Sequence, residues 1–313
     1  MSTDGLENDG TLASVWVQLR PLETGQLNVH AGFLAHAAFL DLLHQVDPAL
    51  AQVLHDLNHR KPFTLSSLVE IEPETGYRTA DRTVLLQPRR LYGLRLTSLA
   101  SYVLNTFTAR FFNLDASSLR VRLGSQQFQV VRIEGSPGNG GAWLGRASFA
   151  TLAALAPARA WTFRFASPTA FSLGEQEWGG RKFGLFPEPG QVFDSLAGCW
   201  NDFAPAALAR IDKPALREYV EKYVAVAGMK DLHTEMLEFK QHRQLGFVGE
   251  VSYRLLEKQP APEMATILNQ LAALALYAGV GYKTTMGMGQ ARCIATEALP
   301  DLTEVKARAT VRV

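Results

Sequence analysis

The histidines are the strongest candidates for catalytic residues in this chain, and they are unevenly distributed along it. Five of the seven histidines fall within residues 30 to 59: His30, His36, His44, His55 and His59. An imidazole titrates near neutral pH, so it can accept or donate a proton in a reaction without a metal ion. The clustering therefore predicts a general acid–base site in this segment.

The helix predicted at residues 48 to 57 separates His55 from the apolar residues around it. Its apolar face is formed by Leu50, Val53, Leu54 and Leu57. At about 100° per residue, His55 projects away from that face and is predicted to be accessible to a ligand. Lys61 follows six residues later, at the start of the next predicted strand, where its ammonium group could share a site with His55.

His36 occupies a different position, near the middle of the apolar face of the helix predicted within residues 30 to 46. Two interpretations stay open for it: a histidine satisfied in or beside the core, or a third catalytic residue. His44, on the same helix, is a reserve catalytic candidate. The others are predicted to be surface residues: His30, His59, His233 and His242.

A glycine-rich stretch, AGVGYKTTMGMGQAR at residues 278 to 292, is a second candidate functional segment. It follows a long apolar helix and leads into a strand, and its spacing fits neither common nucleotide-binding fingerprint. A nucleoside triphosphate pocket, which places phosphate at a helix N-terminus, is therefore not expected. The stretch is either a tight reversal packed against a sheet or a backbone that approaches a sugar–phosphate chain, with Lys283, Thr284, Thr285 and Arg292 supplying charge and donors.

Positive charge is concentrated between residues 78 and 132, although the net charge of the whole chain is only +1. Nine arginines stand there against two acids, Asp81 and Asp115. The arginines are Arg78, Arg82, Arg89, Arg90, Arg95, Arg110, Arg120, Arg122 and Arg132. This excess is either an ordinary solvated surface or a local patch for nucleic acid.

The composition argues against several other classes of protein. Cys199 and Cys293 are far apart and have no paired spacing, so neither a disulfide framework nor a zinc site is predicted, and no cofactor is expected. No apolar run approaches the ~20 residues of a membrane span, and the first ten residues are polar and acidic rather than a leader peptide. The expected location is the cytoplasm, with no membrane partner.

The order of predicted elements indicates an α+β fold. Residues 13 to 135 read as strand, helix, strand, strand, helix, strand, which is the ferredoxin-like (RRM-like, βαββαβ) arrangement, and the second half repeats it more loosely. In that half, residues 219 to 256 are predicted to be the two long strands of a hairpin. The predicted organisation is a disordered tail (1–12), an N-terminal domain with the catalytic histidines (13–140), a linker near 137–158, a C-terminal domain with the glycine-rich stretch (158–296) and a tail of unknown structure (297–313).

These segments together resemble a known family, the CRISPR-associated repeat-RNA endoribonucleases, which form the crRNA-processing branch of the RAMP proteins. AGVGYKTTMGMGQAR resembles the family's C-terminal glycine-rich loop, and VHAGFLAHAAFLDLLHQVDPALAQVLHDLNHRKPFTLSSL resembles its N-terminal helix and the strand after it. FASPTAF, FPEPGQVFDSLAGCWNDF and LGFVGEVSYRL agree in order, so the resemblance covers about residues 13 to 295. It implies two ferredoxin-like domains, metal-independent cleavage of CRISPR repeat RNA, and retention of the crRNA for an interference complex.

The resemblance also implies roles for individual residues. His55 and Lys61 match positions where some members carry a catalytic histidine and lysine, and HAAFL aligns His36 with another family histidine. We rank His55 first, Lys61 second as the phosphate stabiliser and His36 third. Since RNA carries its own nucleophile, 2′-OH attack would leave a 2′,3′-cyclic phosphate and a 5′-OH. The candidate RNA-backbone contacts are Gly279, Gly281, Lys283, Thr284, Gly287, Gly289, Arg292, Arg89 and Arg90.

Two other functions were weighed against a repeat-RNA endoribonuclease. A non-catalytic crRNA-binding RAMP subunit would lack histidines in the N-terminal helix region or have a broken glycine loop, and neither applies here. A metabolic enzyme would need a metal cluster or a cofactor fingerprint, and the sequence has neither. The expected partners are repeat RNA and crRNA, while interference-complex subunits and a homodimer stay open.

Overall fold

The computed structural model describes residues 8–28, 32–57, 59–70, 83–113, 120–135, 141–239 and 242–299. The first half contains β1 (Thr11–Pro21), β2 (Gly25–Asn28), α1 (Gly32–Val46), α2 (Pro48–Asp56), β3 (Phe63–Leu65), β4 (Val69–Glu70), β5 (Thr83–Leu86), β6 (Tyr92–Ser98), α3 (Ser101–Asn113), β7 (Arg120–Leu123) and β8 (Gln126–Glu134). A 3₁₀ turn (Gly141–Trp143), β9 (Gly145–Ser148) and α4 (Phe149–Ala153) follow. The second half contains β10 (Ala158–Thr169), β11 (Phe171–Glu175), β12 (Arg181–Gly184), α5 (Pro189–Phe203), α6 (Lys213–Tyr223), β13 (Val224–Glu238), β14 (Arg243–Leu255), α7 (Pro262–Ala278), a 3₁₀ turn (Thr284–Met286) and β15 (Ala291–Ala298).

Both halves have ferredoxin-like topology. In the first sheet the strand order is β3-β6-β1-β8-β7, with β4 also paired to β6 and β9 to β1. In the second sheet the order is β13-β14-β10-β15. If the four ferredoxin strands of each half are numbered along the chain, both sheets read 2-3-1-4, and their pairs are antiparallel. This confirms the predicted α+β fold with two tandem ferredoxin-like domains.

One helix in the second half was not predicted. Residues 219 to 223 belong to the end of α6 and not to the hairpin strand, which begins only at Val224. The helix is capped by Asp212, whose carboxylate accepts a hydrogen bond from the backbone N–H of Ala215 at 3.1 Å. Leu216 and Val220, four residues apart, are its buried residues. The sequence pattern over residues 219 to 223 was interpreted as the start of a strand. The Asp212 cap and the buried pair Leu216 and Val220 stabilise a helix there instead.

Regular structure is present at the end of the predicted N-terminal tail and within the predicted linker. Residues 8 to 12 are ordered, because the Asn8 side chain donates to the carbonyl of Phe203 at 2.9 Å and β1 already begins at Thr11. The linker contains β9, which pairs with β1, and α4, which is capped by Ser148. The remainder of the two predicted tails, residues 1 to 7 and 300 to 313, lies outside the described residues.

Each half has its own apolar core, and Arg95 connects the two halves. Arg95 is 0% exposed, and its guanidinium donates to the hydroxyl of Ser14 at 2.9 Å and to the carbonyl of Leu276 at the end of α7. Thr97, also on β6, donates to the Tyr277 carbonyl. Arg95 therefore holds α7 against the first sheet, and its inclusion among the arginines of a nucleic-acid surface was wrong. No helix in the described residues is long and apolar enough to cross a membrane.

Candidate active site

His36 lies where α1 meets the glycine-rich stretch. Its ring stacks on Phe63 of β3 with centroids 5.8 Å apart, and its Nδ1 is 3.2 Å from the carbonyl oxygen of Thr285. A carbonyl oxygen can only accept a hydrogen bond, so Nδ1 carries the hydrogen. In the neutral ring the lone pair is therefore on Nε2, which is the atom able to take a proton.

The surroundings of His36 keep its imidazole neutral. The pKa of His36 is lowered to about 4, with burial as the largest cause and with the positive charge of Lys61 and the proximity of His55 acting in the same direction. The hydrogen bond to Thr285 acts in the opposite direction without reversing the effect. The ring is thus an uncharged base at neutral pH and not a cation.

A close backbone contact holds α1 against the glycine-rich stretch. A Cβ atom added to Gly32 would lie only 2.1 Å from the carbonyl oxygen of Met286, so only glycine fits at the start of α1. On the other side, the N–H of Gly287 donates to the carbonyl of Leu65 in β3 at 3.1 Å. The stretch therefore bridges the helix that carries His36 and the strand that begins two residues after Lys61.

Lys61 and His55 meet at the C-terminal end of α2. The Lys61 ammonium donates to the carbonyl of His55 at 3.1 Å and to that of Leu54, which places a cation at the negative end of the helix. Burial lowers the pKa of Lys61, while Asp56 opposes the change. His55 is 70% exposed at its side chain, with Nδ1 3.1 Å from a carboxylate oxygen of Asp56. As predicted, His55 is accessible.

The structure therefore brings the three predicted catalytic residues together. His36 is close enough to Lys61 and His55 for both to lower its pKa. His44 is exposed eight residues after His36, about 12 Å along the helix, and lies outside this group. We refer to His36, His55 and Lys61 as the histidine–lysine cluster.

Four glycines give the glycine-rich stretch its shape. All have positive φ: Gly279 (+62°), Gly281 (+86°), Gly287 (+91°) and Gly289 (+67°). A Cβ atom would meet protein backbone at Gly289, 2.2 Å from the Val280 carbonyl oxygen, and at Gly281, 2.5 Å from that of Ala170. Gly279, Gly287 and Gly289 are buried, with other parts of the protein beside them, and their direct contact with RNA stays a prediction.

The other predicted RNA contacts lie in separate places. Thr284 packs its methyl group between Gly279 and Gly289. Lys283 points away from the histidine–lysine cluster toward Phe239, with its ammonium 4.0 Å from that ring centroid. Arg292 lies over Trp143 at 5.2 Å, and burial lowers the pKa of its guanidinium.

Arg89 and Arg90 lie in an exposed turn before β6, far from the histidine–lysine cluster. The register pairs Phe63 with Ser98, eight residues after Arg90. At about 3.3 Å per residue, Tyr92 at the start of β6 is roughly 20 Å from Ser98, and Arg90 precedes Tyr92 by two residues. If these two arginines bind RNA, they do so at a distance from the reacting phosphate. Arg78 and Arg82 lie outside the described residues.

Sequence reasoning missed the residues that orient the cluster. Phe63 supports the His36 ring, the Thr285 carbonyl fixes its tautomer and Asp56 holds His55. Asp56 carries a signal, since it directly follows His55. The contact with Thr285 spans 249 residues and leaves no local pattern. Within the described residues, no group of three or more His, Cys, Asp or Glu side chains is placed to hold a metal ion.

Comparison with known proteins identifies the family. Residues 13–154 match the CRISPR Cas6 N-terminal domain, and residues 163–291 match the CRISPR-associated endoribonuclease Cas6. No protein of curated function matches the chain. A product complex of Thermus thermophilus Cas6 (TTHB231) is 30% identical, with a TM-score of 0.75 over 90% of this chain and 100% of that one. A product complex of a second Thermus Cas6 (TTHA0078) is 26% identical, with a TM-score of 0.67 over 91% of this chain and 100% of that one.

The match extends over both ferredoxin-like halves and over the whole length of the similar proteins. It confirms the resemblance seen in the sequence, and with it the expected endoribonuclease activity on CRISPR repeat RNA. The chain belongs to the Cas6 family of CRISPR-associated endoribonucleases.

Proposed function

We propose that this Cas6 protein cleaves CRISPR repeat RNA without a metal ion, through attack of a 2′-OH on the adjacent phosphate, and that it keeps the crRNA it produces. The observation that supports this proposal best is the state of His36. Its imidazole is neutral, its Nδ1 is hydrogen-bonded to Thr285, and Lys61 and His55 are near enough to lower its pKa. Repeat cleavage itself follows from the family. The chemistry of the ends and the residue roles are the proposal.

His36 acts as the general base in this mechanism. Its Nε2 takes the proton of the 2′-OH as the 2′-oxygen forms a bond to phosphorus, and the bond from phosphorus to the 5′-oxygen breaks. The products are a 2′,3′-cyclic phosphate and a 5′-OH. The Thr285 carbonyl stabilises the imidazolium that forms, because it accepts a hydrogen bond from Nδ1.

His55 acts as the general acid. Its Nδ1 is held by Asp56, which leaves Nε2 as the atom that faces outward and can deliver a proton to the departing 5′-oxygen. Its 70% exposed side chain is consistent with a residue that meets the RNA only when the substrate is bound. After the reaction, His36 carries a proton and His55 has lost one.

Lys61 stabilises the additional negative charge of the pentacoordinate phosphorane. Two of its three N–H groups are directed at the carbonyls of Leu54 and His55, so its position is fixed before the RNA binds. A preorganised cation of this kind is worth more in a half-buried site than in water.

Structures of similar proteins support the proposal that this protein binds and cleaves repeat RNA. The two Thermus proteins were solved as product complexes, and one was also solved with a substrate mimic and as a mutant in which one histidine is changed to alanine. Product retention, interference-complex subunits and a homodimer remain predictions for this chain.

The first test is cleavage of a synthetic CRISPR repeat RNA in EDTA, with analysis of the product ends. We expect a 2′,3′-cyclic phosphate and a 5′-OH, because the nucleophile comes from the RNA. The control is the same RNA with a 2′-deoxy nucleotide just before the scissile phosphate, which should bind and stay intact. Cleavage of this deoxy RNA, or cleavage that requires Mg²⁺, would show that another nucleophile is used. A chase with excess unlabelled RNA measures whether the product stays bound.

Changing Lys61→Gln is expected to lower the single-turnover cleavage rate about 10²-fold. Glutamine can still donate to the end of α2 but carries no charge. Lys222→Gln is a matched control, since Lys222 is also in the last turn of a helix and is exposed. A thermal unfolding midpoint that drops in Lys61→Gln, with cleavage kept at the wild-type rate, would show that Lys61 only caps α2.

A further inference from the structure

One exposed aromatic residue stands apart from the site described so far. The chain has five tryptophans, and four are buried: Trp16, Trp143, Trp161 and Trp200. Trp178, in the turn between β11 and β12, is 74% exposed. A single exposed apolar side chain is common on a protein surface, so Trp178 indicates a binding surface only together with the groups around it.

The Trp178 indole has a supported position. It lies across Gly180, where an added Cβ atom would be 1.6 Å from the indole ring. The turn beneath it is closed by a hydrogen bond from the N–H of Gln176 to the carbonyl of Gly180 at 2.8 Å. The edge of the indole therefore lies over the turn at Gly180, and most of the ring is open to solvent.

The β11–β12 hairpin is attached to the glycine-rich stretch through Tyr282. Arg181 donates to the Tyr282 hydroxyl at 3.4 Å, and the Phe183 ring is 5.3 Å from the Tyr282 ring. A pocket of about 510 Å³ opens at this junction, with Arg181, Tyr282 and His242 in its wall. Its residues combine aromatic faces with cations.

Lys283 completes this group of side chains. Its ammonium lies over Phe239 at 4.0 Å and donates to Nε2 of His242 at 2.5 Å. Among the described residues it makes no ion pair with a carboxylate. Arg181 pairs with Glu175 at 3.3 Å, but both side chains are exposed, so the pair is weak and easily exchanged for a phosphate.

The same loop connects this group to the histidine–lysine cluster. Lys283 is two residues before Thr285, whose carbonyl holds His36, so their Cα atoms are at most about 7.6 Å apart. The β11–β12 hairpin, attached through Tyr282, is therefore joined by this loop to the segment that holds His36. Cations next to exposed aromatic rings are the combination that binds single-stranded nucleic acid.

We propose that the hairpin surface, formed by Trp178, Arg181, Tyr282, Lys283 and His242, binds an unpaired segment of the RNA next to the cleavage site. One base stacks on the Trp178 indole, and Arg181 and Lys283 bind the phosphates beside it. This inference rests on the proposed function only in that it takes RNA as the ligand.

The test uses the fact that Trp178 is the one exposed tryptophan. Acrylamide quenching of tryptophan fluorescence is measured with and without two RNAs, the uncleavable 2′-deoxy repeat and a twelve-nucleotide oligouridylate. We expect RNA to protect the exposed fraction in the wild type and to have no such effect in Trp178→Phe. Trp178→Ala should weaken the binding of the oligouridylate about 10-fold, and Trp178→Phe should restore most of the affinity by stacking.

The phosphate contact has its own measurement. Arg181→Gln should reduce the slope of log K against log salt by about 0.7, the value for one phosphate contact on a single strand. Leu256→Ala is a control, since Leu256 is 63% exposed at the opposite end of the second sheet and should leave both the affinity and the slope unchanged.

Two results would overturn the inference: equal quenching with and without saturating RNA, or unchanged affinity and slope in Trp178→Ala and Arg181→Gln. These results are independent of the proposed function. Repeat cleavage that proceeds normally while Trp178 is never protected rejects only the hairpin surface. Protection of Trp178 by the 2′-deoxy repeat, with no cleavage of the all-ribose repeat, supports the hairpin surface and rejects only the proposed chemistry.

Discussion

His36→Ala is expected to lower the single-turnover rate of repeat cleavage by about 10² to 10⁴-fold and to leave RNA binding nearly unchanged. Alanine removes the Nε2 that takes the 2′-OH proton. It leaves in place the Lys61 and His55 groups that meet the phosphate. The measurement is the cleavage rate at saturating protein, together with the affinity for the uncleavable 2′-deoxy RNA.

The pH dependence distinguishes His36 as a base from His36 as a packing residue. Its pKa of about 4 means that it stays neutral as the pH falls from 8 toward 5.5. The cleavage rate constant at subsaturating protein, which reports the free protein, should therefore show no loss with a midpoint near 6.5. A loss with that midpoint would assign the base to a histidine that keeps its ordinary pKa.

The same pKa has a consequence for stability with a definite sign. Between about 6.5 and about 4, unfolded His36 binds a proton that the folded protein does not. The free energy of unfolding should therefore fall as the pH is lowered through that window, and His36→Ala should remove this part of the fall. His233→Ala, which removes an exposed histidine on β13, is the matched control for the cleavage rate. Wild-type cleavage by His36→Ala would reject His36 as the base.

His55→Ala is expected to lower the same rate by a comparable factor, about 10² to 10⁴-fold, because the 5′-oxygen then leaves without a proton. The effect should depend on the leaving group. An RNA with sulfur in place of the bridging 5′-oxygen releases a thiolate, which needs no protonation. We therefore expect this RNA to be cut by His55→Ala at close to the wild-type rate.

His36→Ala provides the contrast in that experiment. A better leaving group does not supply a base, so the sulfur RNA should leave the defect of His36→Ala in place. If the sulfur substitution rescues His36→Ala and not His55→Ala, the two roles are exchanged. If it rescues neither, His55 does not act as the acid, and its contribution lies in positioning the RNA.

The sequence predicted which residues form the histidine–lysine cluster better than it ranked their roles. His55 was ranked above His36 because the helical period shows that His55 faces outward, and that inference was sound. The period also placed His36 on the apolar face, where it left two interpretations open. What favours His36 as the base is the carbonyl of Thr285, which belongs to a loop 249 residues away. A local pattern cannot report such a contact.

The glycine-rich stretch shows the same limit. Its four glycines indicated close approach of a backbone, and close approach is what they provide. The sequence does not say which backbone approaches. The glycine-rich stretch approaches other backbone of the same protein, with Met286 against Gly32 of α1 and Gly287 hydrogen-bonded to Leu65 of β3. Arg95 was counted as surface charge for a related reason, since its partners Ser14 and Leu276 are distant in sequence.

The sequence by itself determined the two tandem ferredoxin-like domains, the family and a short list of candidate catalytic side chains, because periodicity and family motifs are carried by neighbouring residues. Only the tertiary structure decided which imidazole is held neutral and oriented, which glycines are buried, and where Lys283 and Trp178 point. Burial, tautomer and pKa depend on atoms that folding brings together from far along the chain, and the sequence alone does not specify those distances.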